Sequence, residues 1–256
     1  MKQYPRVLVK DFEPFDPLDL AKETEKMVCK GDARKYTAFY ATGVYGGIAT
    51  GYTVGCCLRC FYCWVDLSRD FPEELGEFYS AEQTFENLKK TAHKFGVRKL
   101  RISGAEPTLG REHLLALLEL VEESEFGTFI LETNGVLLGT DETFVKQLKR
   151  FTKPHIRISL KAGTPEGFEK RTGALGTSHE LPYRAIRFLL DADVSFHVAA
   201  MTDRRIMSIE ERKALITKLS EIDIDFASNL EEERIDPYDT TLERLKYAGV
   251  ELDWKK

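Results

Sequence analysis

A mixed α/β fold built on parallel strands is what this chain predicts, and three observations predict it. Strand-like and helix-like runs alternate from residue 47 onward, about six times. Gly, Asn-Gly and helix-capping signals punctuate the joins. The 256 residues are 43% hydrophobic and 31% charged, the balance of a globular protein that buries a core. Strands alternating with helices argue for parallel strands joined by crossover helices. Six units are fewer than the eight of a closed barrel. No linker divides the chain, so one large domain, 37–256, is expected, preceded by a polar N-terminal extension, 1–36, punctuated by Pro5, Pro14 and Pro17.

The elements follow in order. Gly47 to Val54 is strand-like. Ser80-Ala81-Glu82-Gln83 has the form of a capping box and opens a helix ending near Gly96. Val97 to Ser103 reads as a strand, Arg111 to Glu125 as a leucine-rich helix, Thr128 to Glu132 as a strand and Asp141 to Phe151 as a helix. His155 to Leu160 is strand-like and precedes a short helix with Pro165 at its first position. Leu181 to Asp191 is a helix and Val194 to Ala199 a strand. A second capping box, Ser208 to Glu211, starts a helix running to Glu221; Ile222 to Ala227 is the next strand candidate, and a last helix lies near Thr240 to Ala248.

Composition narrows the function classes. The longest apolar stretches fall short of a membrane span and the start lacks a signal-peptide core, so a cytoplasmic protein with no membrane partner is expected. The formal net charge of -5 offers no general attraction to nucleic acid. One basic stretch, Lys89 to Arg101, reads first as a solvated helix end followed by a strand.

The chemistry concentrates in Cys56, Cys60 and Cys63, spaced Cys-x3-Cys-x2-Cys. Clustered thiolates are soft ligands suited to an iron–sulfur cluster or to zinc. Zinc would want a fourth ligand at matching spacing, and the remaining cysteines are only Cys29 and Cys57. A disulfide framework is not needed in a chain able to bury its own core. An electron-transfer ferredoxin would supply four spaced cysteines. Cys57 with Cys60 and Cys63 gives a second register, Cys-x2-Cys-x2-Cys. Neighbours in extended chain point opposite ways, so only one of Cys56 and Cys57 is expected to ligate.

This spacing, with Tyr62 before the third cysteine and a strand just upstream, resembles the signature of the radical S-adenosylmethionine (SAM) enzymes. The resemblance selects Cys56 over Cys57. It implies a partial (β/α)6 barrel, in agreement with the count of units, and a [4Fe–4S] cluster whose open iron chelates SAM. It also implies reductive cleavage of SAM to a 5′-deoxyadenosyl radical that takes hydrogen from a substrate. Three further segments at strand ends are similar to family motifs. Gly104-Ala105-Glu106 looks like the Gly-Gly-Glu segment that receives the SAM amino group, with Ala105 in place of the second glycine. Glu132-Thr133-Asn134-Gly135 resembles the Asp-Thr-Asn-Gly of glycyl-radical activating enzymes. Ser159-Leu160-Lys161 stands where those enzymes carry Asp-x-Lys. The resemblance thus implies SAM contacts at Tyr62, Gly104, Ala105, Glu106, Thr133, Asn134, Ser159 and Lys161.

Each segment also has a plain structural reading as a turn, and Lys161 one as a surface lysine. His197 reads as a satisfied strand histidine, and Trp64 as packing, as a shield for the cluster or as lining of the substrate path. The size and motif set look most like a compact pyruvate formate-lyase activating enzyme, which would take a ferredoxin or flavodoxin as electron donor and a glycyl radical enzyme as protein substrate. A tRNA wyosine-type base-modifying enzyme is the alternative within the superfamily. A metal-binding or redox-sensing protein without catalysis is the alternative outside it. No cysteine follows Cys63, which excludes a cysteine-held C-terminal cluster.

Overall fold

The alternation of strand and helix is realised, in a computed structural model that describes residues 4–254, as one mixed sheet with helices on its outer face. The elements are α1 (Pro17–Val28), β1 (Cys29–Lys30), β2 (Ala33–Thr42), β3 (Ile48–Thr53), β4 (Glu77–Tyr79), α2 (Ala81–Phe95), β5 (Lys99–Gly104), α3 (Arg111–Glu122) and β6 (Thr128–Thr133). They continue as α4 (Glu142–Leu148), β7 (Pro154–Leu160), α5 (Pro165–Thr172), α6 (Glu180–Asp191), β8 (Phe196–Met201), α7 (Ile209–Ser220), α8 (Ile224–Ser228), β9 (Glu231–Glu233) and α9 (Asp239–Tyr247).

Strands β3, β5, β6, β7, β8 and β9 run parallel in that order. Before them, β2 pairs antiparallel with β3, and β1 and β4 pair with β2. The result is the partial barrel that six strand–helix units imply, led by an N-terminal segment. β2 itself crosses position 36. Period-two alternation splits the parallel strands into two faces. Leu100, Ile102, Phe129, Leu131, Ile156 and Ile158 point outward and join helix residues such as Leu88, Leu117, Val145 and Ile186 in the main core. Each such side chain contributes roughly 1.5–3 kcal/mol by leaving water. The alternate residues, Arg101, Ser103, Glu132, Arg157 and Ser159, line the concave inner face.

Caps set the helix starts as the sequence indicates. Ser80 and Gln83 form a reciprocal capping box on α2, and the Ser208 hydroxyl accepts from Glu211 N–H. One expectation fails. Ile222 to Ala227 is not a strand: Asp223 caps the short helix α8, and Ile224 is exposed. The sixth parallel strand comes later, from three glutamates at 231–233. Glu232 points outward to Arg212 on α7, and Glu231 and Glu233 point inward to Arg157. Ion pairs across neighbouring elements therefore make a strand of a segment with no apolar signal.

The N-terminal segment is bound in at two places. Phe15 bridges to Ala174, and α1 lies over the loop after β3. Gly55 in that loop has φ +79°, and a Cβ there would sit 2.5 Å from Thr24 on α1, so only glycine fits. Arg34 on β2 is 1% exposed and donates to the carbonyls of Leu109 (3.0 Å), Val28 (3.3 Å), Val54 (2.6 Å) and Glu106 (3.3 Å). One guanidinium thus ties α1 to the two loops that follow β3 and β5.

Candidate functional site

The cysteine loop leaves the C-terminal end of β3 and is held by its backbone from three sides. Arg59 N–H and Phe61 N–H donate to the carbonyls of Thr172 (2.9 Å) and Arg171 (3.1 Å) at the end of α5. The Arg69 guanidinium donates to the Cys60 carbonyl at 2.7 Å. From the chain's last helix, α9, Arg244 donates to the Cys63 carbonyl at 2.7 Å, and Thr240 and Thr241 donate to the carbonyls of Trp64 and Cys63. Such anchoring fixes where the sulfurs stand before anything binds them.

Charges of both signs act on the thiols, with Glu106 ahead of Arg59 at Cys56. Arg59 lies in the field of Cys56, Lys161 in that of Cys60 and Arg69 in that of Cys63. The Cys57 thiol donates toward Cys56, which holds the Cys56 thiol below its usual range and pushes Cys57 up. Burial raises Cys60 to about 12, opposed by Lys161. Cys60 feels Cys63 and Cys56 as its neighbouring thiols, whereas Cys57 is fully buried under the Asn134 side chain, 3.3 Å from its sulfur. Among the described residues no three His, Cys, Asp or Glu groups converge tightly enough to hold one ion, so the fit rests on donor chemistry. Three soft sulfurs on one anchored loop fit a thiolate-held iron–sulfur cluster.

The motif after β5 meets the one after β6. Glu106 is 1% exposed, and its carboxylate accepts from Thr108 N–H (3.1 Å), Thr108 hydroxyl (2.6 Å), Thr133 hydroxyl (2.6 Å) and Asn134 N–H (2.9 Å). Three donors crowd Oε1 and one reaches Oε2, which keeps an acceptor position open. Glu106 therefore brackets the two strand ends and aims Asn134 at the sulfurs of Cys57 and Cys56. Gly104, at φ +95°, lies flat against Thr53, where a Cβ would fall 3.0 Å from backbone. Ala105 N–H and Glu106 N–H donate to the carbonyls of Thr53 and Gly55, which joins this turn to the base of the cysteine loop.

Ser159 and Lys161 form a second group at the mouth of the inner face. The Lys161 ammonium donates to the Ser159 hydroxyl at 2.6 Å, and that hydroxyl donates to Glu233 at 2.8 Å. Burial raises the Glu233 carboxyl, yet Arg157 and Lys161 outweigh it and hold the group below its usual range. Buried Tyr62 reaches the Lys161 carbonyl at 3.5 Å, linking the cysteine loop to β7. Below the mouth runs a belt that motif reading misses. Arg101 pairs with Glu132 at 3.0 Å, and Arg157 with Glu231 and Glu233 at 2.8 and 2.9 Å. At the lower end, the hydroxyl of Tyr45 donates to Glu132, Lys99 fixes its carbonyl, and its backbone sits at φ +53°, a left-handed conformation that costs a non-glycine residue about 1 kcal/mol. The alternation of Arg101, Ser103, Glu132, Arg157, Ser159 and Lys161 along three strands was the available signal.

A family model described as the radical SAM superfamily matches residues 51–219. The chain is 36% identical over 120 residues to a protein of Methanococcus maripaludis named probable GTP 3′,8-cyclase, a match covering 47% of this chain and 38% of that protein. The chain thus spans well under half the length of that relative. Among solved structures, Streptococcus suis SuiB bound to S-adenosylmethionine superposes with a TM-score of 0.59 at 18% identity, over 78% of this chain and 42% of that one. TYW1 with a lysine–pyruvate adduct bound superposes with a TM-score of 0.54 at 15% identity, over 90% of this chain and 88% of that one.

Proposed function

The chain belongs to the radical SAM superfamily, and we propose that it takes hydrogen from a substrate held on the concave face of its sheet. Enzymes of this family use a [4Fe–4S] cluster and SAM, which together supply a 5′-deoxyadenosyl radical when bound. In this chain Cys56, Cys60 and Cys63 hold the cluster. The observation that carries the reading is the cysteine loop anchored at the C-terminal end of β3, beside the strand end where Glu106 holds Asn134 with its side chain 3.8 Å from the Cys56 sulfur.

The protein's own groups orient SAM and keep water out. Gly104 and Ala105 would offer backbone carbonyls to the SAM ammonium, and Glu106, whose Oε2 accepts a single hydrogen bond, the carboxylate beside it. Lys161 and Ser159 at the end of β7 would take the polar groups of SAM, and Tyr62 links the cysteine loop to that strand. Helix α9 closes the cysteine loop from behind. We further propose residues up to 36 as a wrapping extension of a catalytic unit at 37–256, a ferredoxin or flavodoxin as electron source, and the cytoplasm as the compartment. Among the described residues no helix is long and apolar enough to cross a membrane.

Two finer readings of the substrate are in view. Thr133-Asn134-Gly135 and Lys161 favour a glycyl-radical activase, and the name of the M. maripaludis relative favours a GTP cyclase. The lining of the inner face favours neither a polyphosphate nor a bare glycine loop. The test is anaerobic reconstitution with iron and sulfide, then reduction with SAM. 5′-Deoxyadenosine is the expected product, lost in Cys60→Ala. A cluster that never cleaves SAM would overturn the function.

A further inference from the structure

Beside the belt of ion pairs, four rings from four separate segments converge. Tyr40 on β2 stacks on Tyr52 on β3, with ring centres 4.3 Å apart and planes at 17°. Trp64, the residue after Cys63, meets the Tyr52 ring edge-on at 6.2 Å. Tyr238, just before α9, approaches Trp64 at 6.5 Å. A ring cluster built only for packing would be buried. Here Tyr52 is buried, but Tyr40, Trp64 and Tyr238 keep 45%, 44% and 55% of their surface exposed. Grouped exposed rings mark binding surfaces.

Their position places them at the reaction. Tyr52 is in register with Ser103, and its hydroxyl lies 3.4 Å from the Arg101 guanidinium. The rings therefore open onto the inner face at the level of the mouth, adjoining the loop that carries the thiols.

Charge decides what they can take. Arg101 is spent on Glu132, and Arg157 on Glu231 and Glu233. Lys161 is turned to Ser159 in the field of Glu233. A polyphosphate would have to break these pairs to find its cations, at the cost of leaving carboxylates unpaired in a half-buried face. A ring of low net charge meets no such opposition and gains the stacking surface.

We propose that Tyr40, Tyr52, Trp64 and Tyr238 form the substrate platform, and that the substrate presents to it a planar aromatic ring of low net charge. This rests on the proposed function and adds the substrate class to it. The ring belongs to a nucleobase or to an aromatic side chain, and the probes separate the two.

The test is anaerobic equilibrium dialysis of the cluster-loaded enzyme with SAM present. Guanosine and N-acetyltyrosinamide are the ring probes, ribose and N-acetylleucinamide their ring-free controls, and GTP the charged comparison. At least one ring probe binds about tenfold or more tightly than its control, and GTP binds about tenfold more weakly than guanosine. Preference for guanosine assigns a nucleobase, and preference for the tyrosine compound an aromatic side chain. Tyr40→Leu weakens ring binding about tenfold, the scale of one lost stacking partner, and Tyr40→Phe retains it. Ring probes that bind no better than their controls, a Tyr40→Leu enzyme that binds as wild type, or GTP binding more tightly than guanosine would each overturn the inference. An enzyme that cleaves SAM but ignores rings removes the platform alone. One that binds rings but never cleaves SAM removes the function instead.

Discussion

Arg244, in the last helix, donates to the backbone carbonyl of Cys63, 181 positions earlier, at 2.7 Å. The same guanidinium donates to the carbonyls of Val65 and Asp66 and reaches the Asp70 carboxylate at 2.6 Å. Both Arg244 and Asp70 are almost wholly buried. Asp70 also holds Arg69, at 2.6 Å, so removing Arg244 leaves the carboxylate paired but strips three backbone carbonyls of this donor. Arg244→Met should lower stability by about 1–3 kcal/mol, read by urea denaturation of the reconstituted enzyme. Iron content per chain should fall with it. Arg244→Lys should rescue little, because an ammonium cannot span the carboxylate and three carbonyls at once.

The two cysteine registers separate by metal content. Cys57 is enclosed, hydrogen-bonded to Cys56 and covered by Asn134. Cys57→Ala should keep its iron and sulfide after reconstitution, whereas Cys56→Ala, Cys60→Ala and Cys63→Ala should each lose them. A Cys57→Ala enzyme without iron, beside a loaded Cys56→Ala enzyme, would reverse the assignment.

The parts of this architecture legible in the sequence are those written locally. The parallel units show through apolar alternation and caps, and the cysteine loop through its spacing. The segments around Glu106, Asn134 and Lys161 show because each closes a strand with a polar turn. Hidden parts depend on partners far along the chain. Glu231 and Glu233 look like a solvated acidic run until Arg157 is set beside them. Arg244 is one basic residue in a charged helix until the cysteine loop folds against it. Ile222 to Ala227 has the composition of a strand, but Asp223 offers a cap and the helix forms instead. The surroundings of Glu106 divide in the same way: Thr108 lies two residues along the chain, whereas Thr133 and Asn134 reach the carboxylate only in the fold.

His113 gives the fold an acid sensitivity that can be isolated. One ring nitrogen donates to the Asp32 carbonyl at 2.7 Å and the other accepts from the Tyr36 hydroxyl at 2.8 Å, so the neutral ring is fully paired. Burial lowers its pKa from 6.5 to about 4. The unfolded chain therefore binds the proton first as pH falls. Stability attributable to this residue is complete above about pH 6.5 and is lost between there and about pH 4, on the order of 3 kcal/mol. Glu231 and Asp203, held at about 2 by their arginines, add their losses at lower pH. Denaturation midpoints measured from pH 7 to 4 should fall less steeply in His113→Gln than in wild type.

Ser159 and Glu233 together form the polar surroundings of the Lys161 ammonium. The Ser159 hydroxyl bridges the Lys161 ammonium at 2.6 Å and the Glu233 carboxylate at 2.8 Å. The anionic partner of the lysine thus comes from β9 and reaches it through an uncharged relay. Ser159→Asp would put two carboxylates in contact in a half-buried site. Like charges at that distance cost stability, so the single variant should lose about 1–3 kcal/mol and bind SAM more weakly. Glu233→Gln alone removes a partner of Arg157 and should also weaken the site. The double variant Ser159→Asp, Glu233→Gln returns one carboxylate to the group and should recover much of both losses. Such recovery, measured as a non-additive coupling in stability and in SAM affinity by isothermal titration, identifies Glu233 as the carboxylate of this site. Strictly additive losses would mean that Glu233 serves Arg157 alone.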